Sequence, residues 1–236
     1  MSSGRNGMLE GLGIGEVESM PDDGAGLIWL DVDDPNEADL ERVGREFGLH
    51  PLAIEDAVRR HERPKIDIYQ DSIFIVFYSV ELIDEHPRTR EISMFAGQHF
   101  LITVHEGYLD VIEETAKRWN DAVLKQTAAP SIGLMVYSLL DSIVDGYFPV
   151  VDELAERVDE LETGIFDGES TATHEALFTL KKDLLAMRRV VAPERDVMNM
   201  LVRRDAPLFS REEVTYFQDV YEHLLRVTDS LDTYRD

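Results

Sequence analysis

An apolar seam with a period of 3.5 residues constrains the fold of this 236-residue chain more than any other feature. It runs through Leu140, Val144, Tyr147, Val151, Leu154, Val158, Leu161 and Ile165. A repeat sustained over more than three heptads predicts a long helix with coiled-coil-like packing. After the polar segment 166–173 the seam resumes at Leu177, Leu180, Leu184, Met187 and Val191. Two long helices joined by a short loop are expected to be antiparallel, so residues 131–205 are predicted to form a helical hairpin.

A third long helix is predicted to begin at Ser210. Ser210 and Glu213 have the spacing of a capping box, in which each side chain bonds the other residue's backbone N–H. Helical spacing then continues through Val214, Phe217, Tyr221, Leu224, Thr228 and Leu231. No glycine or proline interrupts the pattern before Asp236, so residues 206–236 are interpreted as the start of a longer helix.

The first half of the chain mixes strands and helices. Strands are predicted in the apolar segments 26–32, 65–82 (two strands) and 91–105 (a hairpin turning at Gly97-Gln98). Helices are predicted after Asp34, taken as the N-cap, after His50, and over 107–127. Residues 1–25 are expected to be flexible, with one short strand near 13–18. The sequence therefore predicts an α/β fold, with a mixed subdomain over 26–130.

The charge of the chain limits its partners. With 23 basic and 48 acidic residues, the formal net charge is −25. Such acidity argues against nucleic acids and anionic membrane surfaces, attracts cations, and is also what solubility alone would favour. The chain has no cysteine, so disulfides and thiolate metal sites are excluded. No stretch is expected to span a membrane, and the N-terminus lacks the apolar core of a signal peptide.

Several carboxylates have spacings that suit cation binding. Glu55 and Asp56 are adjacent, so on a helix they point about 100° apart and serve different partners; Glu55 can instead pair with Arg59. Asp141 and Asp145 lie four residues apart, where like charges repel unless a cation or an arginine intervenes.

A further acidic residue stands one helical turn from a histidine. Asp219 and His223 have the spacing of a metal-binding pair, or of a plain charge–imidazole pair. No nucleophile elbow, phosphate loop, dinucleotide turn or His-Glu-x-x-His motif is present, so no enzyme is predicted. A metal-dependent hydrolase built on the clustered carboxylates and a metal-binding scaffold both remain open.

Three segments resemble one family in the same order along the chain. They are "FGLHPLAIEDAVRRHERPKIDIYQDSIFIVFYSV" (47–80), "YSLLDSIVDGYFPVVDELAERVDELE" (137–162) and "VTYFQDVYEHLLRVTDSLDTYRD" (214–236). The first is similar to the signature of the CorA family of magnesium and cobalt transporters. The other two resemble that family's first long cytoplasmic helix and the start of its stalk helix. The family's membrane helices and Gly-Met-Asn motif have no counterpart in these segments.

The resemblance implies a fold, a function and a set of metal-binding residues. The fold is an α/β/α sandwich with a long helical hairpin and a stalk helix, assembled as a homopentamer. The function is that of a cytoplasmic sensor domain whose bound Mg²⁺ favours the closed state of a channel in the cell membrane. Asp56 and Asp219 of neighbouring subunits are implied to share Mg²⁺, and Glu55 and Asp141 to line a second, weaker position. Co²⁺ and Zn²⁺ remain alternatives, since zinc-transporting relatives share the architecture.

Overall fold

A computed structural model describes residues 7–8, 26–124, 130–166, 171–203 and 208–235. The strands are β1 (Gly7–Met8), β2 (Ile28–Asp33), β3 (Lys65–Ile68), β4 (Ser72–Ile83), β5 (His86–Gly97) and β6 (Phe100–His105). The helices are α1 (Glu37–Glu46), α2 (Pro51–Arg59), α3 (Asp110–Leu124), α4 (Ile132–Asp145), α5 (Tyr147–Phe166), α6 (Thr171–Val202) and α7 (Arg211–Arg235). The strand expected near 13–18, and the rest of the flexible segment except residues 7–8, lie outside the described residues.

The strands form one mixed sheet in the order β1-β2-β6-β5-β4-β3. Strand β2 runs parallel to β1 and β6, and the remaining pairs are antiparallel. The predicted strands are confirmed, although β5 begins five residues before the predicted segment. Strands β4 and β5 pair along 12 residues each and turn at Asp84-Glu85, where both φ angles are positive, as tight hairpin turns require.

Both faces of the sheet are covered by helices. On β4, Ile73, Ile75 and Phe77 belong to one hydrophobic cluster, and Phe74 and Val76 to the other. This alternation places the two clusters on opposite faces of the strand. Residues of α1 and α2 pack in the second cluster, and residues of α3 to α7 in the first. The predicted α/β/α sandwich is confirmed, and the double coverage explains why β4 is a continuous apolar run.

Helices α4 and α5 follow one another with only Gly146 between them. The seam is buried at Leu140, Val144, Tyr147, Val151 and Leu154. The run 132–164 is long and apolar enough to span a membrane by length and composition, contrary to the expectation from sequence. Half of its most apolar 18 residues are buried within the protein, which is how a core helix also satisfies that test.

Helix α6 packs beside α5 and α7 in the first hydrophobic cluster. Arg157 of α5 contacts Asp183 of α6 at 2.9 Å, and the two residues lie at similar distances on either side of the 167–170 connection, as in an antiparallel hairpin. The seam prediction is wrong at Leu177, which is 49% exposed, because no described element covers this end of α6. Ile165 lies outside the side chains that the structure describes.

Two predicted helix starts have different outcomes. The Ser210–Glu213 capping box is confirmed, with both backbone-to-side-chain hydrogen bonds formed. The assignment of Asp34 as an N-cap is wrong: Asn36 caps α1 and forms a capping box with Asp39. Asp34 has a positive φ and instead accepts a hydrogen bond from the Gly107 N–H. The helix therefore starts two residues later than the Asp-Pro pair suggested.

Candidate metal centre

Three possible metal ligands meet where α4 packs against α7. One ligand atom from each of Asp141, Asp145 and His223 lies within 4.8 Å of the others. Asp145 Oδ1 is 3.7 Å from His223 Nδ1. Both aspartates lie on one face of α4 because they are four residues apart. The buried seam residues of the two helices hold this face against His223 of α7.

The three acidic groups of this region act on one another. Partial burial raises the pKa of Asp141, and the negative charges of Asp145 and Asp219 raise it further, against the opposing effects of His223 and Arg118. Burial together with the nearby aspartates raises the pKa of Tyr137 to about 12. A negative potential this concentrated disfavours further negative charge and favours a cation.

His223 completes the arrangement. Its Nδ1 atom is buried and has no hydrogen-bond partner within the described part of the chain. Its Nε2 atom lies 3.9 Å from Asp219 Oδ1, one helical turn away on α7. The rings of His223 and Phe148 pack edge to face, with their centroids 5.8 Å apart, and this contact restricts the orientation of the imidazole. Two carboxylates and an imidazole nitrogen form a ligand set that suits several divalent cations.

A cavity of about 350 Å³ adjoins the cluster. Asp141, Ser138 and Ser142 of α4 line it beside Trp119 of α3 and Tyr216 of α7. The indole N–H of Trp119 is buried without a hydrogen-bond partner among the described residues. The cavity therefore offers space and polar groups next to Asp141, as a cation that retains some of its water requires.

Asp56 lies elsewhere, on α2. Its carboxylate accepts a hydrogen bond from Lys65 at 2.7 Å, and Lys65 also contacts Asp67 at 3.2 Å. Partial burial lowers the pKa of Lys65, but the hydrogen bonds to Asp56 and Asp67 outweigh it, so the pKa is raised. Asp56 is therefore compensated by a cation of its own chain.

Glu55 also has a partner within the chain. It contacts Arg59 at 2.6 Å, which confirms the simple i,i+4 pairing that the sequence allowed. The structure thus brings Asp141 close to Asp219 and does not bring Asp56 to either. Helices α2 and α7 cover opposite faces of the sheet. A single chain provides no bridge between Asp56 and Asp219.

The sequence-based set of ligands omitted two members of the cluster. Asp145 and His223 were recognised only as halves of separate i,i+4 pairs, Asp141–Asp145 and Asp219–His223. Those two spacings were the available signal. The pairs merge only because α4 and α7 pack at this height, which spacing within a helix does not report.

The fold and the cluster define a class: an acidic α/β/α domain with long helices and a candidate cation site between two of them. The chain belongs to the family described as "CorA-like Mg2+ transporter protein", whose model matches residues 24–236. Proteins of this family are transporters and not enzymes, so the hydrolase alternative is set aside.

Two curated relatives match most of the chain. It is 30% identical to the "putative metal ion transporter YfjQ" of Bacillus subtilis over 231 residues, covering 97% of the chain and 70% of that protein. It is 29% identical to the "cobalt/magnesium transport protein CorA" of Thermotoga maritima over 213 residues, covering 88% of the chain. The chain spans only 60% of the length of the Thermotoga protein.

Two solved structures share the fold. The soluble domain of CorA from Methanocaldococcus jannaschii superposes with a TM-score of 0.74 at 23% identity, covering 96% of this chain and 87% of that one. The cytoplasmic domain of ZntB from Vibrio parahaemolyticus superposes with a TM-score of 0.70 at 14% identity, covering 88% of this chain and 81% of that one. At these identities the likeness concerns the fold.

Proposed function

We propose that this chain is the cytoplasmic, divalent-cation-sensing part of a CorA-type magnesium transporter of the cell membrane. Family membership, the superposition on a CorA soluble domain and the net charge of −25 support this proposal. The observation that carries it is the packing of Asp141, Asp145 and His223 into one cluster beside Asp219. Repulsion within such a cluster is relieved by a bound cation.

Mg²⁺ bridges Asp56 of one copy and Asp219 of its neighbour in this proposal. Two copies are needed because α2 and α7 lie on opposite faces of the sheet within one chain. Glu55 and Asp141 line a second and weaker position. Mg²⁺ keeps several of its waters and uses one or two carboxylates, so a bridge of two aspartates suits its chemistry. The full-length protein is proposed to be a homopentamer with several such bridges.

Ion occupancy is coupled to assembly through charge. Copies that each carry −25 repel one another, and bound Mg²⁺ offsets this repulsion and favours the closed state. A ligand shifts a conformational equilibrium only by its difference in affinity for the two states. Several weak sites acting together therefore give a steeper response than one site.

Lys65 adds a competitor to this mechanism. Mg²⁺ reaches Asp56 only by displacing the ammonium group of Lys65 or by sharing the carboxylate with it. This competition lowers the affinity of the bridge, which keeps the sensor responsive to a cation that is abundant inside cells. Nucleic acids are not proposed as partners, because the phosphate backbone would be repelled.

Sedimentation velocity in EDTA and in several millimolar Mg²⁺ tests the bridge. The wild-type chain is expected to shift to a larger species with Mg²⁺, whereas Asp56→Ala and Asp219→Ala remain unchanged. Asp229→Ala removes an equally exposed carboxylate from the same helix as Asp219 and is expected to behave as wild type. A Mg²⁺-dependent shift that persists in both Asp56→Ala and Asp219→Ala rules out the bridge.

A sensor for Co²⁺ or Zn²⁺ is the second candidate, favoured by His223. Imidazole binds these transition metals well, whereas Mg²⁺ prefers oxygen ligands. Isothermal titration of the chain with Mg²⁺ and with Co²⁺, repeated on His223→Ala, separates the two. Selective loss of Co²⁺ affinity in the variant supports a transition-metal sensor. Equal binding of Co²⁺ by variant and wild type removes His223 from the ligand set.

A further inference from the structure

A second acidic centre is fully buried and takes no part in the proposed cation binding. Glu194 of α6 has 0% of its surface exposed. Its carboxyl group lies between Tyr147, the first residue of α5, and the backbone of Tyr78 in β4. Tyr147 is also fully buried. A carboxylate in such a place is costly unless hydrogen bonds or a proton compensate for the lost water.

The hydrogen bonds among Glu194, Tyr147 and the backbone of Tyr78 form a closed ring. The Tyr78 N–H donates to Glu194 Oε1 at 2.8 Å. The Tyr147 hydroxyl lies 2.8 Å from Glu194 Oε2 and also contacts the Tyr78 carbonyl oxygen. A carbonyl oxygen only accepts, and a tyrosine hydroxyl has one proton. When Tyr147 donates its proton to Tyr78, the remaining bond needs a proton from Glu194.

We propose that Glu194 is protonated and closes a ring of three hydrogen bonds with Tyr147 and the Tyr78 backbone, and that this ring positions the Asp141–Asp145–His223 cluster. The first part stands on the geometry of the ring alone. The second part rests on the proposed function. Glu194 is thus a positioning residue that does not itself touch the cation.

The ring lies close enough to the Asp141–Asp145–His223 cluster to influence its geometry. Strand β3 pairs with β4 only from Ile73 to Val76, so the edge of β4 at Tyr78 is left to Glu194 and Tyr147. Tyr147 follows Asp145 by two residues across Gly146, and its neighbour Phe148 packs on His223. The ring therefore attaches the junction of α4 and α5 to the sheet. This attachment point is two residues from Asp145, and the next residue, Phe148, contacts His223.

The charges around the ring favour the protonated form. Burial raises the pKa of Glu194 well above its usual value, although the bonds from Tyr78 and Tyr147 act in the opposite direction. Beyond the ring lie the phenol of Tyr78 and, next to it, Glu91 and Glu62. The cationic groups on that side, His61 and Lys65, act on Glu91 and Glu62. Burial and the bonds from Tyr78 and Tyr147 are what act on Glu194 itself.

A carboxyl group with a raised pKa makes the folded state less stable as pH rises. At pH values between the pKa of Glu194 in the unfolded chain, about 4.3, and its pKa in the folded protein, the carboxyl group is protonated in the folded state and ionised in the unfolded state. In that window the unfolding constant increases up to tenfold per pH unit. The contribution stops changing once pH exceeds the folded pKa.

Urea unfolding between pH 5 and 8.5 tests the ring. Glutamine mimics the protonated acid, because its amide donates to Tyr147 and its carbonyl accepts from Tyr78. Glu194→Gln is therefore expected to fold and to lose up to a tenfold-per-pH-unit dependence that wild type shows. Glu156→Gln, on the exposed face of α5, is the matched control and keeps that dependence. An unchanged pH dependence in Glu194→Gln, together with instability at every pH, shows that Glu194 is ionised and overturns the ring.

The positioning role has a separate readout, the shift in melting temperature that Mg²⁺ or Co²⁺ causes. Tyr147→Phe breaks the ring and is expected to lose at least half of this shift, whereas Glu194→Gln keeps it. A purely structural role lowers the melting temperature equally with and without cation and leaves the shift intact, which overturns positioning. Absence of any shift in wild type removes the proposed function and positioning together, while the pH result still decides the ring.

Discussion

Acidic residues have different neighbours on the two faces of the sheet. On α2, Glu55 and Asp56 each contact a cation of the same chain, Arg59 and Lys65 respectively. Where α4 meets α7, the carboxylates of Asp141 and Asp145 lie near each other and near a histidine. Compensated acids gain little from an added cation, whereas crowded acids gain the relief of their repulsion.

Asp31 is an acidic residue that is compensated by a buried histidine. His105 is buried, with Nε2 3.0 Å from Asp31 Oδ1 and Nδ1 2.8 Å from the Gly107 carbonyl oxygen. The carbonyl oxygen accepts from Nδ1, and an ionised Asp31 accepts from Nε2, so both bonds favour the protonated imidazole. Asp31 of β2 is paired with Thr103 of the parallel strand β6, and His105 lies two residues further along β6, so Asp31 and His105 share one face of the sheet. The contrast with His223 is therefore one of partners and not of residue type.

The largest expected effect comes from removing the crowded pair. Asp141→Asn with Asp145→Asn should abolish the stabilisation that comes from a cation bound in the Asp141–Asp145–His223 cluster, which is about 2.7 kcal/mol when the cation is at a hundred times its Kd for that site. In EDTA the double variant should gain a few tenths of a kcal/mol, because like charges at i,i+4 repel. Calorimetric melting in EDTA and in Mg²⁺ or Co²⁺ measures both effects.

The double variant has a matched control on α1. Glu37→Gln with Glu41→Gln removes the same charge at the same spacing from an exposed helix face. This control should keep the cation-dependent shift. If both double variants lose the shift equally, net charge and not the cluster is responsible.

The next effect is the pH dependence that His105 contributes. Burial lowers the pKa of His105, but the hydrogen bond and charge of Asp31 outweigh it, so the pKa is raised. This stabilisation is complete below the unfolded pKa of about 6.5 and is lost as pH rises through the folded pKa, at about 1.4 kcal/mol per unit of pKa shift. Urea unfolding from pH 6 to 8.5 should show a weaker decline in His105→Gln than in His61→Gln. Equal declines would mean that His105 is neutral when folded.

A smaller effect, this time a gain in Mg²⁺ binding, is expected when the cation that competes for Asp56 is removed. Lys65→Met should tighten Mg²⁺-dependent assembly about two- to fivefold, since a partly exposed ion pair is worth about 0.2–1 kcal/mol. Sedimentation equilibrium across a Mg²⁺ series measures the midpoint. Arg59→Met removes a cation from the same helix as Asp56, and its midpoint should move less. Weaker assembly in Lys65→Met would argue against Asp56 as a ligand.

The smallest effect is expected at Glu55. Its carboxylate is exposed and already neutralised by Arg59, so Glu55→Gln should change the Mg²⁺ midpoint by about twofold or less. The same Mg²⁺ series reports it. A change as large as that of Asp56→Ala would place Glu55 among the principal ligands and erase the difference between the two faces.

Local sequence patterns predicted the positions of helices and strands more reliably than they predicted which residues pack against each other. The 3.5-residue seam and the Ser210–Glu213 spacing predicted α5 and the start of α7, because both depend on residues within one or two helical turns. The same reasoning misplaced the start of α1, where Asp34 and Asn36 both have side chains that can cap. It also treated Leu177 as buried, since a helical period does not report what lies opposite each position.

The sequence by itself determined the acidity, the absence of thiols, the α/β order of elements and the resemblance to the CorA family. These follow from composition, spacing and short contiguous motifs. The tertiary structure decided which acids are crowded and which are compensated. Lys65 beside Asp56, Asp31 beside His105, and Asp141 beside His223 are contacts between separate elements, set by strand register and helix packing. Tyr147 shows the same limit: its place in the seam indicated burial, and only the fold brought its hydroxyl to Glu194.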